Sequence, residues 1–534
     1  MTNFPDPYDS GRARGWRIHD ANATSSPTNH TCDVVVIGSG AGGGISAEML
    51  SAAGLNVAIV EAGPLRSSKH FKMREWQAYR ELYQDNAGRQ VADGSIGILQ
   101  GRCVGGSTTV NWTSSFRTPD FVLEYWQQAL GLTELSSEGL ARWFDQVHER
   151  LGIAPWTLEP NLNNGLLGKG GEARGVKFKA IPRNTKDCLD LGYCGMGCPT
   201  NAKQSMLVTS IPAALETGAT LFENLLAERV LLDGNQAKAV RCRSANGRSV
   251  QIEARHIVLA GGAIGTPGIL LRSNAPDPYK TLGARTFLHP TVVSTATYAE
   301  RINAFSGAPQ SLYSDHFIRR PQDGGAVSFK IEAAPLHPAL AASVLWGNEH
   351  QHLDRMKAFP HTQVSIGLLR DGFHADAAGG TVRINSDGEP ILHYSGSAYL
   401  YEGARSALLA LADIQFAAGA KRVFPGHGSA LDGYASWQHA KENLEQLPFG
   451  PRQVQLVSAH VMGGCGMADT PERGVIDHLG RHFQLVNVSV HDGSMLPTSL
   501  GVNPQVTIYS LAARAASALV AKLTGRAAPG LLAR

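Results

Sequence analysis

Residues 33–61 read DVVVIGSGAGGGISAEMLSAAGLNVAIVE. The apolar run 33–37 is typical of a strand buried on both faces. A glycine turn, a helix-like stretch at 45–53 and a second strand-like run at 56–60 follow it. This order predicts a βαβ unit, the building block of an open parallel sheet.

The glycine turn has the spacing of a dinucleotide-binding motif. Its G-x-G-x-x-G glycines are Gly38, Gly40 and Gly43. They serve a tight turn, close approach of the backbone to a pyrophosphate, and helix–strand packing. The following helix offers free N–H groups to phosphates, and Glu61 stands where a carboxylate binds ribose hydroxyls. The spacing alone does not separate FAD from NAD.

Length and composition limit the class of protein that carries this motif. With 534 residues the chain is too long for one ordinary core, which suggests about two domains, and insertions can interleave domains in sequence. The net charge is only +3 without a basic stripe, which argues against nucleic-acid binding. An odd number of cysteines, seven, and no secretory signal favour a cytoplasmic protein. We find no uncharged apolar run long enough to span a bilayer, and peripheral membrane contact stays open.

Further glycine-rich motifs follow along the chain. Residues 101–112 read GRCVGGSTTVNW, and residues 260–267 read AGGAIGTP directly after a strand-like run. Near the C-terminus come SAHVMGGCGM at 458–467, DGSMLP at 492–497 and GVNP at 501–504. A helix-like segment, 505–523, begins after Pro504, as is common for proline at a helix start.

This ordered set of motifs resembles the glucose–methanol–choline (GMC) oxidoreductases. The resemblance implies an α/β fold: a doubly wound, Rossmann-like FAD-binding domain and an interleaved α+β substrate domain built on an antiparallel sheet. We expect an N-terminal arm at 1–30, which looks loose. The FAD-binding domain then takes 31–125, 205–300 and 455–534, and the substrate domain with its insertions takes 126–204 and 301–454.

The resemblance also implies residue roles. Cofactor contacts fall on Gly38, Gly40, Gly43 and Glu61 at the ADP; Gly105, Gly106, Ser107 and Asn111 along the flavin; Val230 at the adenine; and Gly261, Asp492, Gly493 and Pro504 at the remaining strand and helix ends. His460 matches the catalytic histidine and Asn503 its partner. Some members attach FAD covalently through a histidine placed where Val110 stands here, so we expect non-covalent FAD.

The implied reaction is oxidation of a primary alcohol to an aldehyde by hydride transfer to flavin N5. A neutral imidazole can take the hydroxyl proton, which makes His460 the candidate general base. Asn503 would hold the alcohol oxygen. The helix after Pro504 would face the negative charge of the reduced flavin. A single histidine is more often structural, but Asn503 and the glycine motifs favour the catalytic role.

A cysteine-rich box lies at Cys188, Cys194 and Cys198. Three thiols so close together suggest soft-metal ligation, and a similar box in some sugar dehydrogenases of the family holds a three-iron cluster. The spacing here differs slightly, so we favour a structural thiol box and assign no metal. The box and the Lys-Gln-Ser after it resemble the long-chain alcohol branch, which makes a long-chain aliphatic alcohol the expected substrate.

Three weaker signals and several alternatives remain. Glu332 is either a third active-site group or, as we favour, a solvated strand residue; His289 receives no role; and the Asn- and Gly-rich region 161–175 is predicted to be a loop. The alternatives are a sterol, sugar or polyol dehydrogenase, a flavin-binding protein without alcohol oxidation, and a nicotinamide enzyme. The electron acceptor, whether quinone, carrier or oxygen, stays open.

Overall fold

The computed structural model describes residues 6–318, 327–374 and 376–531. The strands in these ranges are β1 Arg17–Asp20, β2 Asn29–Ile37, β3 Val57–Val60, β4 Ile96–Ile98, β5 Ile153–Pro155, β6 Lys179–Ala180, β7 Pro182–Asn184, β8 Thr220–Glu223, β9 Leu225–Asp233, β10 Gln236–Ser244, β11 Ser249–Leu259, β12 Thr286–Leu288, β13 Thr291–Thr297, β14 Leu312–Ser314, β15 Phe329–Ala333, β16 Thr362–Leu369, β17 Thr381–Ile384, β18 Pro390–His393, β19 Arg422–Pro425, β20 Leu456–Ser458, β21 Val461–Gly463 and β22 Val488–Val490.

The helices in the same ranges are α1 Pro7–Ala13, α2 Ala41–Ala52, α3 Glu75–Leu82, α4 Ser107–Val110, α5 Asp120–Leu130, α6 Ser137–Leu151, α7 Leu162–Ala173, α8 Ser210–Glu216, α9 Gly262–Arg272, α10 Pro338–Val344, α11 Glu349–Lys357, α12 Ala398–Ala417, α13 Trp437–Gln446 and α14 Gln505–Thr524.

The first sheet is largely parallel. Its strand order is β1-β8-β3-β2-β11-β10-β9, and β22 lies beside the end of β11. All neighbours pair in parallel except β10, which is antiparallel to both β11 and β9. Val34, Val35 and Val36 at its centre have no exposed surface, as the apolar run predicted. The sheet confirms the predicted doubly wound α/β domain.

The second sheet is the predicted antiparallel one. Its order is β4-β20-β13-β16-β15-β14-β6, with β19 also paired to β13 and only β4 and β20 parallel. Side chains alternate between the two faces of a strand. In β15, Phe329 and Ile331 join the apolar cluster that contains Leu408 of α12. Lys330 and Glu332 therefore point to the opposite face, where the functional site lies.

Two regions differ from the expectation. Region 161–175 is not a loop but contains α7, which Asn161 caps by accepting from Asn164 N. Its glycines serve close packing instead: a Cβ on Gly170 would lie 2.0 Å from Ile414 O of α12. The N-terminal arm is not loose over residues 6–30, because it contains α1 and β1 and the latter pairs with β8; residues 1–5 lie outside the described residues.

The two domains interleave more finely than the sequence suggested. The expected boundary at residue 125 falls inside α5, and Trp126 Nε1 donates to Thr498 Oγ1 at 2.7 Å within the FAD-binding part. Helix α6 packs against α14. Strands β4, β13 and β20, expected in the FAD-binding domain, belong to the second sheet. The boundaries themselves stay predictions.

Helix α14 is the last helix of the described residues. Among the described residues it is the one helix long and apolar enough to cross a membrane, by length and composition alone. It carries Arg514 and Lys522, and 61% of its most apolar window is buried inside the protein. It packs against α2 and α6, as the core helix of a folded domain does.

Candidate active site

The first glycine turn joins β2 to α2 at the carboxyl edge of the first sheet. Gly38 has φ +99°, and a Cβ there would lie 2.1 Å from Ala260 O. A Cβ on Gly43 would lie 2.0 Å from Gly38 O, so this glycine lets the helix sit directly on the turn. Gly40 caps α2 without any side-chain hydrogen bond. The first N–H groups of α2 are therefore available to an anionic ligand.

Ser39 ties this turn to the acid at the end of β3. Its hydroxyl donates to Glu61 Oε2 at 2.6 Å and accepts from Gly105 N at 2.9 Å. Glu61 also accepts from Gly63 N at 2.9 Å. Burial raises the pKa of the Glu61 carboxyl, and these hydrogen bonds oppose that rise. The acid is thus fixed against the two glycine loops that the sequence singled out.

The second glycine loop lies directly on the first. A Cβ on Gly106, where φ is +53°, would lie 2.8 Å from Gly40 Cα. Ser107 follows it with its side chain exposed, and its Oγ accepts from Gly101 N at 3.0 Å. Asn111 Nδ2 donates to Gln505 Oε1 at 2.8 Å, which links this loop to the first turn of α14.

The remaining motifs meet on the other side of the turn. Asp492 Oδ2 accepts from Gly262 N at 2.8 Å and from Thr266 Oγ1 at 2.5 Å. The side chain of Asp492 is buried, which raises its pKa. A Cβ on Gly493 would lie 3.0 Å from Val461 O, beside the candidate histidine. Gly261 and Pro504 cap α9 and α14, again without a side-chain hydrogen bond.

Val230 lies on β9, beyond the part of that strand that reaches Glu61. Its backbone N donates to Ser273 Oγ at 2.8 Å, so that N–H is already used. The part of β9 that reaches the acid is its start, where Leu225 N donates to Glu61 O at 2.8 Å. The adenine contact of Val230 stays a prediction.

His460 and Asn503 face each other at the end of this arrangement. Asn503 Nδ2 lies 3.5 Å from His460 Nε2. His460 is partly accessible and the neighbouring Ala459 is exposed. Burial first, and the charge of Lys330 second, lower the pKa of His460 to about 3. The ring is therefore neutral near pH 7.

His289, which received no role from the sequence, contacts this pair. Its Nδ1 lies 2.9 Å from His460 Nδ1, and the two rings meet edge to face. His289 Nε2 accepts from Gly501 N at 2.9 Å and from Leu500 N at 3.2 Å. Nothing local in the sequence near residue 289 indicates these contacts, because they join segments far apart in the chain.

Lys330, which the sequence analysis did not single out, contacts Asn503. Its ammonium lies 2.6 Å from Glu332 Oε1 and donates to Asn503 Oδ1 at 2.5 Å. Both side chains have no exposed surface, so the interpretation of Glu332 as a solvated strand residue is wrong. Gln310 Nε2 donates to Glu332 Oε2 at 2.5 Å and completes the pair. The alternation F-K-I-E-A in a buried strand was the available signal.

The cysteine box borders the second glycine loop, residues 101–112. Lys203 donates to the backbone oxygens of Cys194 and Asn111, at 2.7 and 2.9 Å, and so ties the box to that loop. Cys188, Cys194 and Cys198 are half-buried free thiols. Across the described ranges, no group of three or more His, Cys, Asp or Glu side chains is arranged to hold a metal ion.

Comparison with known proteins agrees with this architecture. The N-terminal GMC oxidoreductase family model matches residues 79–291 and the C-terminal one matches residues 376–512. The chain belongs to the GMC oxidoreductase family. It is therefore an oxidoreductase, as the ordered motifs predicted.

Several curated members of the family are similar over most of the chain. A long-chain-alcohol oxidase of Arabidopsis thaliana is 30% identical over 521 residues, which are 93% of this chain and 68% of that protein. An uncharacterised GMC-type oxidoreductase of Mycobacterium tuberculosis is 31% identical and covers 94% and 78% of the two chains. A cholesterol oxidase of Acinetobacter baumannii is 24% identical, with coverages of 93% and 96%. The chain thus spans about two thirds of the plant protein's length.

Solved structures share the fold. Formate oxidase of Aspergillus oryzae superposes with a TM-score of 0.69 at 13% identity, covering 94% of this chain and all of that one. Pyridoxine 4-oxidase superposes with a TM-score of 0.67 at 18% identity, covering 91% and 98%.

Proposed function

We propose that this oxidoreductase holds FAD non-covalently and oxidises a primary alcohol, with long-chain aliphatic alcohols as substrates. The observation that carries the proposal is the His460–Asn503 pair, whose Nε2 and Nδ2 atoms lie 3.5 Å apart. The names of the similar plant proteins support the substrate class. A pair of polar groups at the end of a glycine cradle suits a small hydroxyl compound next to a flat cofactor.

The residues present fit FAD. Helices α2 and α14 begin after Gly40 and Pro504 without side-chain caps, so their N–H groups and positive dipole ends are free for phosphates and a reduced flavin. The bound flavin would supply the hydride acceptor. Val110, which offers no nucleophile at the position where some members bind FAD covalently, supports non-covalent binding.

The protein's own groups would then act on the alcohol oxygen. Asn503 is held through Lys330, so its amide stays oriented toward His460. His460 is neutral, and a neutral imidazole either accepts a proton at a bare nitrogen or donates one from its N–H. The proposed role as general base requires that Nε2 carry no hydrogen when the hydroxyl arrives. Which nitrogen carries the proton depends on His289.

Anaerobic substrate screening tests the function. The purified protein is mixed without oxygen with dodecanol, glucose or cholesterol while the visible absorbance of the oxidised flavin is followed. We expect dodecanol to bleach the flavin. Bleaching by cholesterol or glucose alone would favour the alternatives, and a colourless protein would favour a nicotinamide enzyme. Admitting air afterwards shows whether oxygen is the acceptor or a quinone or carrier is required.

Two histidine variants separate catalysis from structure. His460→Ala should bind flavin but leave it unreduced by every alcohol. His427→Ala is the matched control, because His427 is buried and its Nε2 bonds to Pro448 O in the second-sheet domain. Full turnover by His460→Ala would contradict the proposal. The cytoplasm is the proposed location, since seven free thiols suit a reducing compartment.

A further inference from the structure

The hydrogen bonds of His289 fix the position of its proton. Its Nε2 accepts from two backbone N–H groups, those of Gly501 and Leu500. A ring nitrogen that accepts carries no hydrogen, and a neutral imidazole has one N–H in total. Burial lowers the pKa of His289 well below its ordinary value, so the ring is neutral. Its proton therefore sits on Nδ1.

That proton determines the tautomer of His460. The two Nδ1 atoms are 2.9 Å apart, a hydrogen-bond distance that requires one donor and one acceptor. His289 is the donor, so His460 Nδ1 is the acceptor and carries no hydrogen. The single proton of neutral His460 must then sit on Nε2, the nitrogen that faces Asn503.

Lys330 fixes the amide of Asn503 in the same way. An ammonium only donates, so the Asn503 atom 2.5 Å from Lys330 Nζ is the carbonyl oxygen Oδ1. The NH₂ group therefore points at His460. Glu332 holds the ammonium in place at 2.6 Å, and its own position is fixed by Gln310. A 180° flip of the Asn503 amide would place its NH₂ group against the buried ammonium of Lys330.

We infer that His289 and Lys330 are positioning residues that aim two N–H donors, from His460 Nε2 and Asn503 Nδ2, at one point. Two donors do not bond to each other, and their 3.5 Å separation leaves the pair in need of an acceptor. The geometry assigns this point to an oxygen that accepts, such as an alkoxide, an aldehyde carbonyl or a carboxylate. The inference revises one part of the proposed function: in this tautomer His460 binds the oxygen as a hydrogen-bond donor, and it can act as a general base only after a change of tautomer. It relies on the proposed function for the class of ligand.

The opposite tautomer is disfavoured by the same contacts. If His460 Nε2 were bare, its Nδ1–H would donate to His289, and His289 would carry its proton on Nε2. That N–H would then meet the N–H groups of Gly501 and Leu500. Each buried polar group left without a partner costs about 1–3 kcal/mol. His460 can therefore act as a base at Nε2 only after both rings change tautomer.

Nitrogen-15 NMR of the flavin-loaded protein with labelled histidines tests the tautomer directly. The signals of His460 are identified by their loss in His460→Gln. We expect Nε2 to show the shift and one-bond proton coupling of a protonated ring nitrogen, and Nδ1 the shift of a bare one. The reverse assignment would overturn the inference. This readout does not depend on turnover, so it is distinct from failure of the proposed function.

Two substitutions at position 289 test the cause. His289→Ala removes the donor, and the His460 signals should change to a mixture of tautomers. His289→Asn places an amide near the former Nδ1 and should restore the wild-type signals. An unchanged His460 tautomer in folded His289→Ala would refute the positioning role. If His289→Ala fails to fold, His289→Asn and the wild-type spectrum still decide.

Ligand binding tests the two-donor site. Decanoate is titrated into oxidised protein while the flavin spectrum is followed. In Asn503→Asp the carboxylate still accepts from Lys330 but presents an acceptor to the ligand. We expect decanoate affinity to fall by about tenfold or more, as for loss of a charge-assisted hydrogen bond. Asn503→Leu removes the donor without adding charge, so its affinity for decanoate should fall less than that of Asn503→Asp. Equal affinity of all three proteins for decanoate would overturn the assignment.

Discussion

Ser39 Oγ lies 2.6 Å from Glu61 Oε2 and accepts a hydrogen bond from Gly105 N, so one hydroxyl joins both glycine loops to the acid. Removing it in Ser39→Ala leaves a buried carboxylate oxygen and a buried N–H less well bonded. Unsatisfied buried groups cost about 1–3 kcal/mol, which is about 5- to 150-fold if it falls on FAD affinity. Titration of the flavin-free protein with FAD, followed by fluorescence, measures this.

Ser51→Ala is the matched control for this substitution. Ser51 is also buried on α2, but its hydroxyl donates to Ala47 O within its own helix and contacts neither glycine loop. We expect the FAD affinity of Ser51→Ala to stay within about twofold of wild type, because the substitution changes no contact of either glycine loop. Equal losses in the two variants would mean that the Ser39 bridge has no specific part in cofactor binding.

Two glycines of the first glycine-rich stretch, residues 38–43, should differ in their response to substitution by alanine. A Cβ on Gly42 would lie 1.5 Å from His491 O, so Gly42→Ala cannot be accommodated without moving backbone, and we expect little folded protein. Gly40 has φ −70°, and its Cβ would meet only Gly106 Cα, at 3.9 Å. Gly40→Ala should therefore keep the fold.

Although Gly40→Ala should fold, it should bind less flavin. The methyl group would occupy space beside the first N–H groups of α2, where a phosphate is expected to bind. Flavin content after purification should therefore fall while circular dichroism and the melting temperature stay close to wild type. A folded Gly42→Ala protein, or a Gly40→Ala protein with full flavin, would contradict this view of the turn.

The sequence predicted features that depend on local backbone geometry. Gly38, Gly40 and Gly43 mark a turn whose chemistry is contained in a few consecutive residues, so their contacts follow from spacing alone. His289, Lys330 and Gln310 could not be found in this way, because their contacts arise when β15, the segments before β13 and β14, and the loop before α14 come together in space. No local pattern encodes such a juxtaposition.

Glycine itself caused the clearest local error. In region 161–175 its frequency indicated a loop, yet Gly170 and Gly171 lie inside α7 and let it approach neighbouring segments closely. Helix propensity favours a loop there by about 1 kcal/mol for each glycine, and tertiary packing overrides this preference. Composition alone does not separate the two uses of glycine.

Thiol reactivity should divide the seven cysteines. Cys188, Cys194 and Cys198 are half-buried, whereas the other four are buried. Burial raises the pKa of Cys32 and of Cys103 to about 12, so these two thiols stay protonated and unreactive. We expect Ellman's reagent to modify at most the three thiols of the box in native protein and all seven in denaturant. Native modification of Cys32 or Cys103, located by mass spectrometry, would contradict this burial.

Buried neutral histidines should make the fold sensitive to acid. Burial lowers the pKa of His256 to about 3, below the value of about 6.5 in an unfolded chain. Between these values the unfolded chain binds a proton that the folded protein does not, so the free energy of unfolding falls as pH falls. Above pH ~6.5 the contribution is complete.

His256→Gln isolates one such group. Gln can keep a hydrogen bond to Ser489 Oγ, which now lies 3.0 Å from His256 Nε2. The slope of unfolding free energy against pH between the two pKa values should decrease by about 1.4 kcal/mol per pH unit. Denaturation at several pH values measures it. An unchanged slope would mean that His256 binds a proton in the folded state.

The buried Lys330–Glu332 ion pair contacts Asn503. Removing only one of its charges should lower the free energy of unfolding more than removing both. Lys330→Met leaves Glu332 in a site with no exposed surface and only Gln310 as a partner, and an uncompensated buried charge costs about 3–5 kcal/mol. In the double variant with Glu332→Gln no buried charge remains, so the loss of stability should be smaller than in Lys330→Met alone. Lys179→Met breaks the exposed pair with Asp315 and should cost no more than about 1 kcal/mol. Chemical denaturation compares the three proteins, and if Lys330→Met were no worse than Lys179→Met, Lys330 and Glu332 could not both be charged in the folded protein.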